Sequence, residues 1–219
     1  MSYYRAIDKL HNRIINNSWL QIFTAATRGL LGVGFIIPGL IKLFSPIPFG
    51  GFIPADTPIG GFFDAFFRAQ ELYIFVGIIQ VLAGVMLFFP STVTLGTVMY
   101  FPVILTICAI TIGFSFQGTW IVTSLMVLAN LYLLCWEYDR LKMLLPGFSS
   151  PLGFTAQKNL GFLATLVYGG ILGFLGLGSF MLAVNIHQDA SLWIPIGLLI
   201  ITLLAGSFLV TQYDRWFAR

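Results

Sequence analysis

Residues 94–136 read TLGTVMYFPVILTICAITIGFSFQGTWIVTSLMVLANLYLLCW and hold no charged side chain. A helix rises 1.5 Å per residue, so crossing a bilayer core takes about 20 apolar residues. This stretch supplies two such runs, Thr94–Phe116 and Thr119–Trp136, broken only at Gln117–Gly118. A link that short makes the two helices an antiparallel hairpin. A barrel reading fails. Barrel strands alternate polar and apolar side chains over roughly ten residues, and these runs are apolar all round.

The pattern continues outward. Upstream lie Ile22–Phe44 and Leu72–Phe89, the second joined to the hairpin through Pro90–Val93. Downstream lie Leu160–Val184 and Leu192–Gln212. The chain of 219 residues is 58% hydrophobic and 9% charged, where an average soluble domain is about 25% charged. It lacks the polar groups to cover a water-facing surface. That excludes an ordinary cytosolic enzyme, a disordered chain and a secreted disulfide scaffold. The expected fold is all-α, a polytopic membrane bundle of six transmembrane helices. It divides into a cytoplasmic amphipathic segment at 1–21, a four-helix membrane unit at 22–143 and two additional transmembrane helices at 144–219.

Segment 1–21 lacks the apolar core and small-residue cleavage site of a signal peptide. Ile7, Leu10, Ile14 and Trp19 fall near one helical face, away from Arg5, Lys9 and Arg13. This suits a helix lying on the membrane surface; a frayed polar tail is the other reading.

Basic residues set the orientation. Arg5, Lys9, Arg13, Arg140, Lys142, Lys158, Arg215 and Arg219 fall on one side, and only Lys42 and Arg68 on the other. Both termini are therefore expected in the cytoplasm, which an even number of spans also requires. The net charge of +3 is scattered through the loops. A nucleic-acid partner would need a clustered patch interleaved with aromatics, so the bilayer is the expected partner. Glu137-Tyr138-Asp139-Arg140 and Gln212-Tyr213-Asp214-Arg215 end two of the spans in similar words and read as interface anchors.

The loop from Ser45 to Gln70 holds Pro46, Pro48, Pro54 and Pro58 together with several phenylalanines. Thr57-Pro58 reads as a helix cap and first helical position. Phe62, Phe63, Phe66 and Phe67 would then share one side of that helix, with Asp64 among its polar positions. Such a face does not sit in water. The expectation is an interfacial helix after the first span, tucked over the bundle or running into span two, acting as an anchor or as a lid.

Ionisable and amide groups at membrane depth usually have a partner or a task. Arg28 lies about 9 Å inside the first span, Asn130 about 10 Å inside the fourth, and Gln80 near the middle of the second, at the helical rise. The three form a candidate polar layer in which Arg28 donates to both amides. The alternative is that Arg28 snorkels to headgroups and the amides join helices. At the opposite end Lys42, Glu71 and Arg68 form a candidate outer rim, with a Lys42–Glu71 pair as either a site edge or an interfacial ion pair.

Small residues mark close helix approaches: Gly32 and Gly39, Gly77 and Gly84, and the stripe Gly161, Thr165, Gly169, Gly173. Pro38, Pro102 and Pro195 kink or open their helices. Cys108 and Cys135 sit about 13 Å apart in depth at the helical rise, too far for a disulfide. His11 and His187 are expected on opposite sides of the membrane. No metal cluster is legible, and no complete catalytic constellation.

The first span reads Arg28-Gly29-Leu30-Leu31-Gly32-Val33-Gly34-Phe35 and then Pro38-Gly39-Leu40-Ile41-Lys42-Leu43-Phe44. The second reads Glu71-Leu72, then Val76-Gly77-Ile78-Ile79-Gln80-Val81-Leu82-Ala83-Gly84. Over about residues 22–143 this resembles the DoxX family of small bacterial integral membrane proteins, whose usual unit has four helices. The resemblance implies a bacterial cytoplasmic (inner) membrane location and carries Arg28, Lys42 and Glu71 over as family-typical positions. It also implies an association with quinone-linked or other membrane redox assemblies. The two extra helices depart from the family unit.

Three functions follow as expectations. The first is a non-catalytic subunit or assembly factor of a membrane redox or envelope complex, with no cofactor in the chain itself. The second is a lipid- or quinone-binding oxidoreductase subunit. The third, a small-molecule transporter, is disfavoured because the two halves carry no matched discontinuous helices.

Overall fold

The structure is a computed structural model and describes residues 11, 14–47, 49–51, 53–116, 118–141 and 161–170. Among the described residues all regular structure is helical. The elements are α1 (Ser18–Phe44), α2 (Pro58–Arg68), α3 (Gln70–Phe88), α4 (Val93–Gly113), α5 (Thr119–Trp136) and the single turn α6 (Tyr138–Leu141). Residues 162–170 are helical as well. Four helices, α1, α3, α4 and α5, are long and apolar enough to cross a bilayer, at 27, 19, 21 and 18 residues. They correspond to the first four apolar runs. Residues 162–170 fall within the fifth run. The rest of that run, the sixth run Leu192–Gln212 and most of segment 1–21 lie outside the described residues.

Local chemistry explains where the helices begin and end. Asn17 opens α1: its side-chain oxygen accepts from the Trp19 amide at 3.0 Å, and its carbonyl from the Gln21 amide at 3.0 Å. Thr57 caps α2 by accepting from the Gly60 amide at 3.1 Å, and Pro58 takes the first helical position, as the sequence predicts. Only Ala69 separates α2 from α3. Phe89 ends α3 in an extended conformation, which the ring of the following Pro90 enforces. Gly118 makes the turn into α5 with φ of 74°, a conformation that costs glycine little.

The chain forms two compact units. One comprises residues 1–30 and 154–219, the other residues 31–153, so that α1 contributes to both. In the first unit, Ile22, Ala26 and Tyr168 pack with Ala164. Gly29 meets the backbone of the 162–170 helix. A Cβ at Gly29 would lie 2.6 Å from the Thr165 carbonyl and would collide with Gly169. Two members of the small-residue stripe, Thr165 and Gly169, thus mark a close backbone contact.

In the second unit α4 packs against both α3 and α5. Leu31, Phe35, Ala83, Leu87, Val93, Tyr100, Ile104 and Leu133 form its core. The Phe35 and Tyr100 rings stack with centroids 3.5 Å apart. Gly32 faces Gly84, and Gly39 faces Gly77. A Cβ at Gly84 would lie 2.8 Å from the Gly32 carbonyl oxygen, and one at Gly39 would lie 3.0 Å from the Gly77 carbonyl oxygen. Seven-residue spacing on both helices brings these pairs into register along one α1–α3 seam. Between α4 and α5, hydroxyls replace glycines: Thr111 bonds Thr123 at 2.8 Å, and the Cys108 sulfur meets the Ser124 hydroxyl at 3.5 Å.

The outward faces are apolar. Ile121, Leu125 and Leu128 of α5 are 48%, 60% and 61% exposed. A large aliphatic side chain left in water forgoes about 1.5–3 kcal/mol of burial, and hydrocarbon removes that penalty. The fold is that of an all-helical membrane protein.

Candidate functional site

The described ends of the second unit each bury one charge. At the α1 C-terminus, Lys42 is 8% exposed. Its stem packs on α3, where a Cβ at Gly77 would sit 3.0 Å from Lys42 Cβ. Its Nζ donates to the Pro38 carbonyl at 3.4 Å and lies 4.5 Å from the Phe49 ring centroid and 5.9 Å from that of Tyr73. A cation over an aromatic face gains about 2 kcal/mol when desolvated, while burying an ammonium costs several. The helix C-terminus adds a smaller favourable term. These contacts offset part of the burial cost and leave a cation able to hold a further acceptor.

The loop and α2 close over this place. Tyr73 is buried, and its hydroxyl accepts from the Phe49 amide at 2.8 Å. Phe66 and Phe67 meet the Tyr73 ring edge-on at 5.1 and 5.3 Å. Phe63 contacts Phe49 and Phe116, and Phe62 contacts Phe114. The four phenylalanines of α2 are therefore spent on other rings of the bundle, as their shared face predicts.

The expected rim is rearranged. Lys42 forms no ion pair with Glu71 among the described residues; Glu71 is exposed. Tyr73 lies two positions on from Glu71, about 200° around the helix at 100° per residue, so Glu71 turns outward where Tyr73 turns in. Arg68 pairs with Asp64 at 3.0 Å, one turn back on α2, in an exposed position. Sequence reasoning missed Tyr73 and Phe49 as the neighbours of Lys42. Tyr73 was findable: with Gly77, Gln80 and Gly84 it forms one stripe at helical spacing.

At the opposite end Glu137 is 1% exposed. Its carboxylate accepts from the Thr94 hydroxyl at 2.6 Å and from Arg140 at 3.1 Å. Arg140 also donates to the Pro90 carbonyl at 2.9 Å. The cluster ties the α5 end to the α3–α4 turn. Tyr138 and Arg140 suggested a headgroup-level anchor, but Glu137 continues the buried stripe of Thr123 and Asn130 at seven-residue steps and turns inward.

The polar layer is divided between the units. Arg28 is buried at 1% exposure in the first. Gln80 and Asn130 are buried in the second, at 2% and 0%. From the nearer helix ends, Phe88 and Trp136, they lie about 12 and 9 Å deep at the helical rise. Gln80 Oε1 and both polar atoms of the Asn130 amide have no hydrogen-bond partner among the described residues. Cys108 and Cys135 are both free thiols.

These are the features of an integral membrane helix bundle with sealed polar groups at both ends and in its middle. Compared with family models, with curated proteins and with solved structures, the chain matches none.

Proposed function

We propose that the chain is a DoxX-like protein of the bacterial cytoplasmic membrane, with six spanning helices, both termini in the cytoplasm and α2 lying in the outer interface. In this reading it serves as a non-catalytic subunit or assembly factor of a membrane redox or envelope complex. The supporting observation is the use made of buried charge in the second unit. Glu137 accepts from a threonine and an arginine that reach another turn, so its buried charge serves the fold. Purification of the tagged full chain in mild nonionic detergent tests this. A stoichiometric membrane partner is the expected result; a homogeneous chain with no partner overturns it. A tag on the C-terminus is expected to face the cytoplasm.

A second reading is an amphiphile-binding subunit, with a lipid or a quinone as the ligand. The donors around Lys42 and the unmatched amide atoms of Gln80 and Asn130 favour it. Native mass spectrometry of the purified chain is expected to show a retained amphiphile, and its complete absence removes this reading.

A further inference from the structure

Around Lys42, donors exceed acceptors. An ammonium carries three N–H donors. Lys42 directs one to the Pro38 carbonyl, and at 3.4 Å the contact is long. Its other neighbours are the ring faces of Phe49 and Tyr73, which stabilise charge without supplying an oxygen. Tyr73 adds a second donor. Its hydroxyl oxygen is taken by the Phe49 amide at 2.8 Å, and its own proton has no acceptor among the described residues. No carboxylate joins the group among those residues. Glu71 points outward and Asp64 is held by Arg68.

A donor-only set complements a group that is all acceptor. A phosphate diester is such a group: it carries a full negative charge, offers oxygens and has no proton to place. Position narrows the source. Lys42 and Tyr73 lie at the ends of α1 and α3, both long enough to span, where lipid headgroups meet the helices. At the same end of α1, Phe44 is 79% exposed on the face turned away from Lys42, and Ile47 just past the helix is 62% exposed, so apolar surface on which acyl chains can lie flanks the helix end.

We propose that Lys42 and Tyr73 form a site for the anionic phosphate headgroup of a membrane lipid at this end of the bundle. The proposal rests on the amphiphile-binding reading and names the class of ligand. The Lys42 ammonium supplies charge and a hydrogen bond, and the Tyr73 hydroxyl a second hydrogen bond. The Phe49 ring, 4.5 Å from the ammonium, helps to hold it in place.

The test uses the full chain, exchanged from nonionic detergent into nanodiscs of phosphatidylcholine and phosphatidylglycerol in equal parts. Lipid adducts are then counted by native mass spectrometry. The wild-type chain is expected to keep phosphatidylglycerol in preference to phosphatidylcholine. Lys42→Met, which keeps the stem, should lose that adduct by about tenfold or more, as removal of a charge-assisted bond implies. Tyr73→Phe should lose it several-fold, and Lys42→Arg should retain it. A folded Lys42→Met chain that keeps phosphatidylglycerol like the wild type overturns the proposal. So does a wild-type chain with no preference, a result that needs no variant to fold. Release of the adduct by millimolar inorganic phosphate would assign the site to a free anion and overturn the lipid source. An amphiphile retained regardless of Lys42 sinks this site alone. Retention of none removes the amphiphile reading with it.

Discussion

The Tyr100 hydroxyl donates to the carbonyl of Leu31 at 3.2 Å, while its ring stacks on Phe35 one turn along the same helix. One side chain of α4 thus holds α1 by two different interactions. Tyr100→Phe keeps the stack and removes the hydrogen bond, so it should destabilise the chain by about 0.5–1.5 kcal/mol. Tyr100→Ala removes both and leaves a cavity, so it should cost about 3–5 kcal/mol, by analogy with other large aromatic truncations. Thermal unfolding in detergent followed by circular dichroism separates the two. Equal losses would show that the ring contributes nothing.

Gly84→Ala places a methyl group 2.8 Å from the Gly32 carbonyl oxygen and 2.8 Å from Ile36 Cγ1. Backbone cannot rotate away as a flexible side chain does, so α1 and α3 must separate. Overpacking of this kind costs about 1–3 kcal/mol. Gly113→Ala is the control. Nothing lies within 4 Å of its Cβ, and alanine is favoured over glycine in a helix by about 1 kcal/mol. The expected order of melting temperatures is Gly113→Ala at or above wild type, and Gly84→Ala below it.

Thr94→Val removes the 2.6 Å donor to Glu137 without changing the shape of the side chain. A hydrogen bond to a charged acceptor contributes about 1.5–3 kcal/mol, and a loss of that size is expected. Arg140→Ala removes the second donor and the contact with the Pro90 carbonyl. Both variants act through one carboxylate, so the double variant should depart from additivity by about 0.5–3 kcal/mol. Strict additivity in denaturant titrations would mean that the three side chains do not operate as a cluster.

Asn130→Leu replaces an amide with no matched hydrogen bond among the described residues by an apolar side chain of similar reach. Leaving a buried polar group unsatisfied costs about 1–3 kcal/mol, so the substitution should raise the melting temperature or leave it unchanged. A marked fall would show that the amide holds a partner in the membrane.

The first four spans were legible because hydrocarbon imposes one demand on every outward side chain, and a run of apolar residues meets it at any rotation. The α1–α3 seam was legible through the seven-residue spacing of its glycines, and α2 through Thr57 and Pro58. The environment of charged groups was not. Lys42 ends up between Phe49, from an irregular loop, and Tyr73, from another helix, and no local spacing connects them. Glu137 sits in a polar run of four residues, where the way the last turn faces decides which of them is buried. Gln80 and Asn130 stood out in the sequence as amides inside apolar runs, and the structure buries both. Whether an amide is matched depends on neighbours from other helices, which periodicity along one helix leaves open.

The glycine seam also limits how the second unit can move. Between residues 31 and 44, α1 touches α3 at two heights, so a slide or roll of either helix would drive a carbonyl into a Cα at both. The pair behaves as a fixed rail that holds the Lys42 stem against Gly77. The α4–α5 boundary is made of hydroxyls and a thiol, groups that can rotate and exchange partners. Of the two boundaries, the α4–α5 one is thus made of groups that can yield without a backbone collision.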